Sequence, residues 1–211
     1  VGEKPILFCD EMVRAILDGH KTQTRRVVKL QPTRRQVDLT GCPYGVAGDR
    51  LWVRETFGVM QRSYHYELGW ETDGLVNDVP VKDVPIFTPY SKQKYFFVYR
   101  ADGYERVKEE GRWIPPIYMP RRASRITLEI VSERVERVQD ISEADAKAEG
   151  MIGYDEYPAP EEMQWYRKTI RCARLPRVQF RKMWDSINAQ RGCGWDANPW
   201  VWVIEFRRIE P

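Results

Sequence analysis

Lys21, Thr24 and Arg26 fall within the segment GHKTQTRR, residues 19–26. An amine, a hydroxyl and a guanidinium at this spacing supply a base, a nucleophile and an oxyanion partner for acyl transfer. A threonine hydroxyl attacks a carbonyl only when a base takes its proton. A lysine serves as that base only where burial or neighbouring positive charge keeps part of it neutral. Arg25 and Arg26 furnish such charge. The same residues also have a plainer use, because a lysine just past a helix C-terminus complements the helix dipole and threonines suit strands.

Glu149 draws attention for another reason. Ser142 and Asp145 have the spacing of a capping box, which predicts a short helix running through Glu149 and stopped by Gly150. A carboxylate in the last turn opposes the helix dipole, and Asp145, four residues earlier, repels it. A residue that breaks a local rule can mark a site. The two histidines, His20 and His65, carry no comparable signal, and His20 reads as a solvated turn residue. Cys9, Cys42, Cys172 and Cys193 stand apart rather than in CxxC pairs, so a zinc ligand set is lacking, and no metal or cofactor is expected. No phosphate-binding glycine loop, GxSxG elbow or HExxH occurs.

These side chains must be positioned by strands with a few helices. Pro5 to Phe8 is a short apolar strand, and Asp10 can cap a helix with Met12, Val13, Ile16 and Leu17 on one face and Gly19 as its left-handed stop. From Thr22 the chain alternates as a strand, with Thr22, Thr24, Arg26 and Val28 on one side and Gln23, Arg25 and Val27 on the other. Lys21 therefore reaches Thr24 only from a bend after Gly19. Leu51 to Phe57, Tyr95 to Arg100, Ser124 to Val138 and Asn198 to Ile209 read as further strands. A helix from Pro176 to Asn188 carries Val178, Phe180, Met183, Trp184 and Ile187 as its apolar stripe. Two stretches of weak periodicity, about 58–94 and 153–175, read as insertions. The pattern predicts one α+β domain over 1–211, built on a curled sheet or small barrel.

Composition narrows the partners. With 211 residues, 42% hydrophobic and 31% charged, the chain can bury a core. Even its longest apolar runs, such as Trp200 to Ile204, are far short of the roughly 18–20 residues of a membrane span, so a cytoplasmic, membrane-free protein is expected. Net charge is only +3, yet no Asp or Glu occurs in 19–37, 111–128 or 163–184, and these tracts hold half of the 34 lysines and arginines. Trp113, Tyr118, Trp165 and Tyr166 lie among them. If the tracts converge, they suit a phosphate backbone with stacked bases, and if they do not, they are three solvated faces. Arg25, Arg26, Trp52, Arg54, Arg121 and Arg122 are the candidate residues for such contacts.

At GHKTQTRR the sequence resembles the ASCH domain family of the PUA-like superfamily, whose GxKxxExR pattern falls on Gly19, Lys21, Thr24 and Arg26, with threonine in place of the usual glutamate. Within that superfamily a bacterial acetylcytidine amidohydrolase has the same Lys-x-x-Thr-x-Arg. ISEADAKAEGM, 141–151, is similar to the segment that carries its catalytic glutamate. GDRLWVRE, RITLEI and WVIEF extend the likeness, and the two insertions set this chain with longer, prophage-type ASCH proteins. The resemblance implies a small β-barrel with flanking helices. It also implies a catalytic set of Lys21, Thr24 and Glu149, and an RNA or a modified nucleoside as partner, with no protein partner. The first activity expected is amidohydrolysis of an acyl nucleoside such as acetylcytidine, and the alternatives are RNA binding without catalysis and cleavage of single-stranded RNA.

Overall fold

The computed structural model describes residues 1–29, 31, 41–65, 69–75, 95–103, 112–151 and 175–209. The second expected insertion lies outside them apart from Leu175, as do Trp165, Tyr166 and Cys172. The elements are β1 Glu3–Leu7, α1 Asp10–Leu17, β2 Gln23–Val27, β3 Arg50–Arg54, β4 Phe57–His65, β5 Gly69–Leu75 and β6 Tyr95–Tyr99, followed by β7 Thr127–Arg137, α2 Glu143–Ala148, α3 Pro176–Asn188 and β8 Trp200–Ile209. The class is α+β as expected. One sheet has the order β1-β3-β7-β8-β2 and a second the order β5-β4-β6, and among the described residues β1 and β2 are the ends of the larger one.

The chain divides into two compact units. The first holds Val1–Gly2, Ala15–Arg50 and Glu129–Arg208. Here β2 pairs antiparallel with β8, Gln23 opposite Glu205 and Val27 opposite Val201. The capping box of α2 forms as read, with Ser142 accepting from the Asp145 amide and the Asp145 side chain returning to Ser142. On α3 the buried residues are Pro176, Phe180, Trp184 and Asn188, spaced four apart. Ile187, expected in the stripe, is 49% exposed, because it falls off that row of the helix.

The second unit holds Glu3–Arg14, Leu51–Leu128 and Ile209–Pro211. Its core gathers Phe57, Val59, Phe97, Met119 and Ala123, with Tyr99 and Ile114 packed against them. The stretch expected as a single strand over Leu51 to Phe57 breaks after Arg54. Arg54 O accepts from the Phe8 amide in the larger sheet, whereas Phe57 pairs with Tyr99 in the smaller one, so Glu55 and Thr56 carry the chain from one to the other. The first expected insertion opens with ordered strand: β4 pairs with both β5 and β6. Asp10 begins α1 rather than capping it. The Val13 amide donates to Cys9 O, and the Asp10 carboxylate accepts from Arg100.

Candidate functional site

In the first unit the end of α1 delivers Lys21 to the end of α2. Gly19 takes φ 77°, and the amides of His20 and Lys21 both donate to Ala15 O at 2.9 Å. The chain then runs against α2: Lys21 and Glu149 form an antiparallel bridge, and the Thr22 amide donates to Ala148 O at 2.8 Å. Gly150 makes this approach possible. Its φ is 90°, and a Cβ on it would lie 3.0 Å from Ala15 Cβ and 3.3 Å from Lys21 Cβ.

Lys21 is 3% exposed and Glu149 2%. Lys21 Nζ donates to Glu149 Oε2 at 2.7 Å, to Glu149 O at 2.8 Å and to Gln23 O at 2.8 Å. An ammonium has three N–H donors and no acceptor, so these bonds use them all. Glu149, disfavoured by its own helix, is held by cations from another element. Its Oε1 accepts from Arg25 Nη1 at 3.2 Å. Arg25 in turn donates through Nε (3.0 Å) and Nη2 (2.5 Å) to Glu136 Oε1 and lies 3.5 Å from Asp145. Its guanidinium also sits 5.7 Å from the centre of the Phe180 ring.

A second guanidinium extends the network. Arg134 bonds Glu205, Glu136 (3.2 Å) and Asp145 (3.2 Å), and Ser132 Oγ donates to Glu205 at 2.8 Å. The buried Gln23 amide fits between them, donating to Asp145 at 3.1 Å and accepting from Arg134 at 2.8 Å. Burial pushes the Asp145 carboxyl up, but hydrogen bonds from Ser142 and the charge of Arg25 outweigh it and hold the group below its ordinary value. Burial likewise lowers Arg134, and the bonds from Glu205 and Glu136 more than reverse this.

Lys21 and Glu149 thus meet, and Arg25 joins them as a wholly buried partner of carboxylates rather than an exposed contact. Thr24 does not join them. Arg25 shares the Glu149 carboxylate with Lys21, so strand alternation turns Thr24 to the opposite face of β2, where it is 1% exposed. Arg26 is half-buried, and its Nη1 donates to Arg25 O at 3.2 Å. Beside the pair, a cleft of about 250 Å³ is lined by Gly19, His20, Thr22, Lys147, Ala148, Gly150 and Met151. Gln23 was read only as a strand position, and Arg134, Glu136 and Glu205 were not read as site residues, although Ser132, Arg134 and Glu136 alternate along β7 as one polar row.

The other expected contacts lie in the second unit. Trp52 is 8% exposed, so it offers little ring to a base, and Arg54 covers it at 4.6 Å from the ring centre while Arg121 stands 6.0 Å away. Arg121 is held by Glu3 at 2.8 and 3.0 Å. Arg54 Nη1 donates to Ile117 O at 3.2 Å, but among the described residues its Nε is buried without an acceptor, as is Nη2 of Arg122. Tyr118 and Ile117 are exposed nearby in sequence. A closed network stands apart from this group: Arg125 grips Glu55 at 2.9 and 3.0 Å and Asp102 at 2.7 and 2.8 Å. Burial raises the Glu55 carboxyl above its ordinary value despite Arg125.

The acid-free tracts are therefore acid-free only along the chain. Lys21 and Arg25 pair with Glu149 and Glu136, Arg121 with Glu3, Arg125 with Glu55 and Asp102, and Arg181 with Asp196. Among the described residues no group of three or more His, Cys, Asp or Glu is arranged to hold a metal ion, and no helix is long and apolar enough to cross a membrane.

The chain is similar to a crystal structure of the ASCH domain from Lactobacillus crispatus JV V101, at 11% sequence identity and a TM-score of 0.37, over 98% of this chain and 79% of that one. No family model matches the chain, and no curated protein does.

Proposed function

We propose that this chain is an RNA-associated protein of ASCH type, with the PUA-like barrel architecture, that binds single-stranded RNA without cleaving or deacylating it. The observation that carries the non-catalytic reading is the saturation of Lys21. Its three N–H groups are donated to Gln23 O, Glu149 O and Glu149 Oε2, while Thr24 faces away from it. A general base must accept the nucleophile's proton at hydrogen-bonding distance. Lys21 would have to break its pair with Glu149 and swing around β2 to do so. Among the described residues of the second unit, Arg121 and Arg125 pair with carboxylates and Arg54 and Arg122 do not, and cations of the latter kind suit a polyanion.

A second reading is favoured by one specific observation. Two of the three residues expected from the amidohydrolase resemblance, 128 positions apart, are in direct contact beside an open cleft. On that reading Thr24 attacks the acetyl carbonyl of an acylated cytidine after a rearrangement of β2, and the amine of the nucleoside leaves.

Both readings are tested in one experiment. The protein is titrated into a short fluorescent single-stranded RNA at several salt concentrations and, separately, incubated with acetylcytidine. The expected result is RNA affinity that falls as salt rises, with a log–log slope of about −0.7 per phosphate contact, and no release of cytidine. Cytidine release that disappears in Thr24→Ala would overturn the first reading in favour of the second.

A further inference from the structure

Among the described side chains of Phe, Tyr and Trp, that of Tyr118 alone is exposed, at 71%, and Ile117 is exposed beside it. A ring left in water forgoes the stabilisation that burial brings. The turn that carries it is rigid. Pro115, Pro116 and Pro120 fix φ on both sides of the pair. The Tyr118 amide donates to Pro115 O at 3.1 Å and the Met119 amide to Pro116 O at 3.0 Å. Both flanks are tied down: Ile114 and Phe57 exchange amide bonds at 2.8 and 3.2 Å, and Tyr99 Oη donates to Ala123 O at 2.8 Å. Met119, next to Tyr118, is 1% exposed and packs into the core of the second unit with Phe57, Val59 and Phe97. The turn is therefore anchored through Met119 while Ile117 and Tyr118 face outward.

The surroundings of the pair are cationic, and printed contacts join them into one patch. Arg54 Nη1 donates to Ile117 O at 3.2 Å, and its guanidinium lies 4.6 Å from the centre of the Trp52 ring, with that of Arg121 6.0 Å from the same ring. Glu3 offsets Arg121, but the half-buried Arg54 has no carboxylate partner among the described residues, and no Asp or Glu occurs in 111–128. Two kinds of partner can cover an exposed Ile–Tyr pair, an apolar protein surface or a nucleobase. An apolar surface would take Arg54 out of water without an acid to meet it, which is costly. A base arrives with its phosphate, so the uncompensated charge favours nucleic acid.

We infer that Tyr118 is a stacking platform for a base of single-stranded RNA, with Ile117 as its apolar flank and Arg54 as positive charge for the strand's backbone. The inference rests on the RNA-binding reading above and assigns the base contact within it. Trp52, covered by Arg54, orients that arginine, and the stacking surface is the ring two turns of chain away at Tyr118. A ring held on a proline-stiffened turn needs little ordering when a base meets it. Paired strands keep their bases inside the helix, so single strands are the form that fits.

The test uses the full chain and its variants Tyr118→Ala and Tyr118→Phe, with a short fluorescent single-stranded RNA and an abasic strand of the same length, over a salt series. Tyr118→Ala is expected to bind the RNA about tenfold or more weakly, with the salt slope of the wild type, because stacking releases no counterions. Tyr118→Phe, which keeps the ring, is expected to restore the affinity. On the abasic strand the wild type and Tyr118→Ala are expected to bind alike. Thermal unfolding of both variants checks that an exposed position has left the fold intact. RNA affinity equal in the wild type and Tyr118→Ala, or a loss of the same size on the abasic strand, overturns the platform while RNA binding stands. No RNA binding by the wild type overturns the RNA reading and the platform with it. Self-association of the wild type in sedimentation that Tyr118→Ala abolishes, with RNA affinity unchanged, overturns the platform and makes the turn a protein contact.

Discussion

The two units treat buried cations in opposite ways. In the first, every described contact of Lys21, Arg25 and Arg134 leads to a carboxylate, a carbonyl, an amide or an aromatic ring, and the acids are shared between cations. In the second, Arg125 is closed in the same manner, but among the described residues Arg54 and Arg122 keep buried N–H groups without acceptors. A cation whose donors are all used is part of the scaffold. One with a buried donor left over carries the desolvation cost of that N–H, so its packing is less favourable than that of a closed pair.

The comparison breaks most severely at Glu149. Glu149→Gln leaves Lys21 and Arg25 short of their shared carboxylate in a site closed to water, and removal of one partner of such a pair costs about 3–5 kcal/mol. Urea unfolding reads this directly, and a loss under about 1 kcal/mol would show that the network is not scaffold. The double variant Lys21→Met with Glu149→Leu removes both charges, so its loss should be smaller than the sum of the single losses.

A pH titration sharpens the same contrast with a smaller effect. Asp145 is held below its ordinary value in the folded chain. Its contribution is therefore present above the unfolded value, about 3.9, and disappears as pH falls through the folded one. At pH 7 Asp145→Asn should be less stable than the wild type, and the gap should close as pH is lowered below about 4. A gap that stays constant down to acid unfolding would mean that Asp145 acts through packing.

Arg54→Gln should change stability least. It removes the cation–π contact with Trp52, worth about 0.5–2 kcal/mol, together with the hydrogen bond to Ile117 O, worth about 1 kcal/mol, and it relieves a donor whose burial costs about 1–3 kcal/mol. The losses and the gain have opposite sign, so the melting curve should barely move. A large destabilisation would place Arg54 with the scaffold residues of the first unit.

Local features were legible in the sequence because their causes are local. The limits of α3, the capping box at Ser142 and the glycine stops at 19 and 150 depend on residues within about one helical turn, and the structure has them as read, with α2 ending one residue early at Ala148. The alternation of β2 was legible too, and it separates Arg25 from Thr24. Its consequence ran against the catalytic arrangement, because the face that meets Glu149 is that of Gln23 and Arg25. Glu149 was flagged as a carboxylate in the wrong place on its own helix. Local rules could register the conflict but not its resolution, which lies in Lys21 and Arg25.

By itself, then, the sequence determined the mixed class, the helices, the strand faces and the oddity of Glu149, all of which follow from periodicity and neighbours along the chain. Only the tertiary structure decided which charges meet. Lys21 and Glu149 are separated by 128 positions and Arg25 and Glu136 by 111, and their pairing depends on the register of β2 on β8 and on the close approach that Gly150 allows. The same holds for the charge of the basic tracts. Acids distant in sequence neutralise Lys21, Arg25, Arg121 and Arg125, and the cations left over are defined by which carboxylates the fold brings within about 4 Å, a distance no composition can encode.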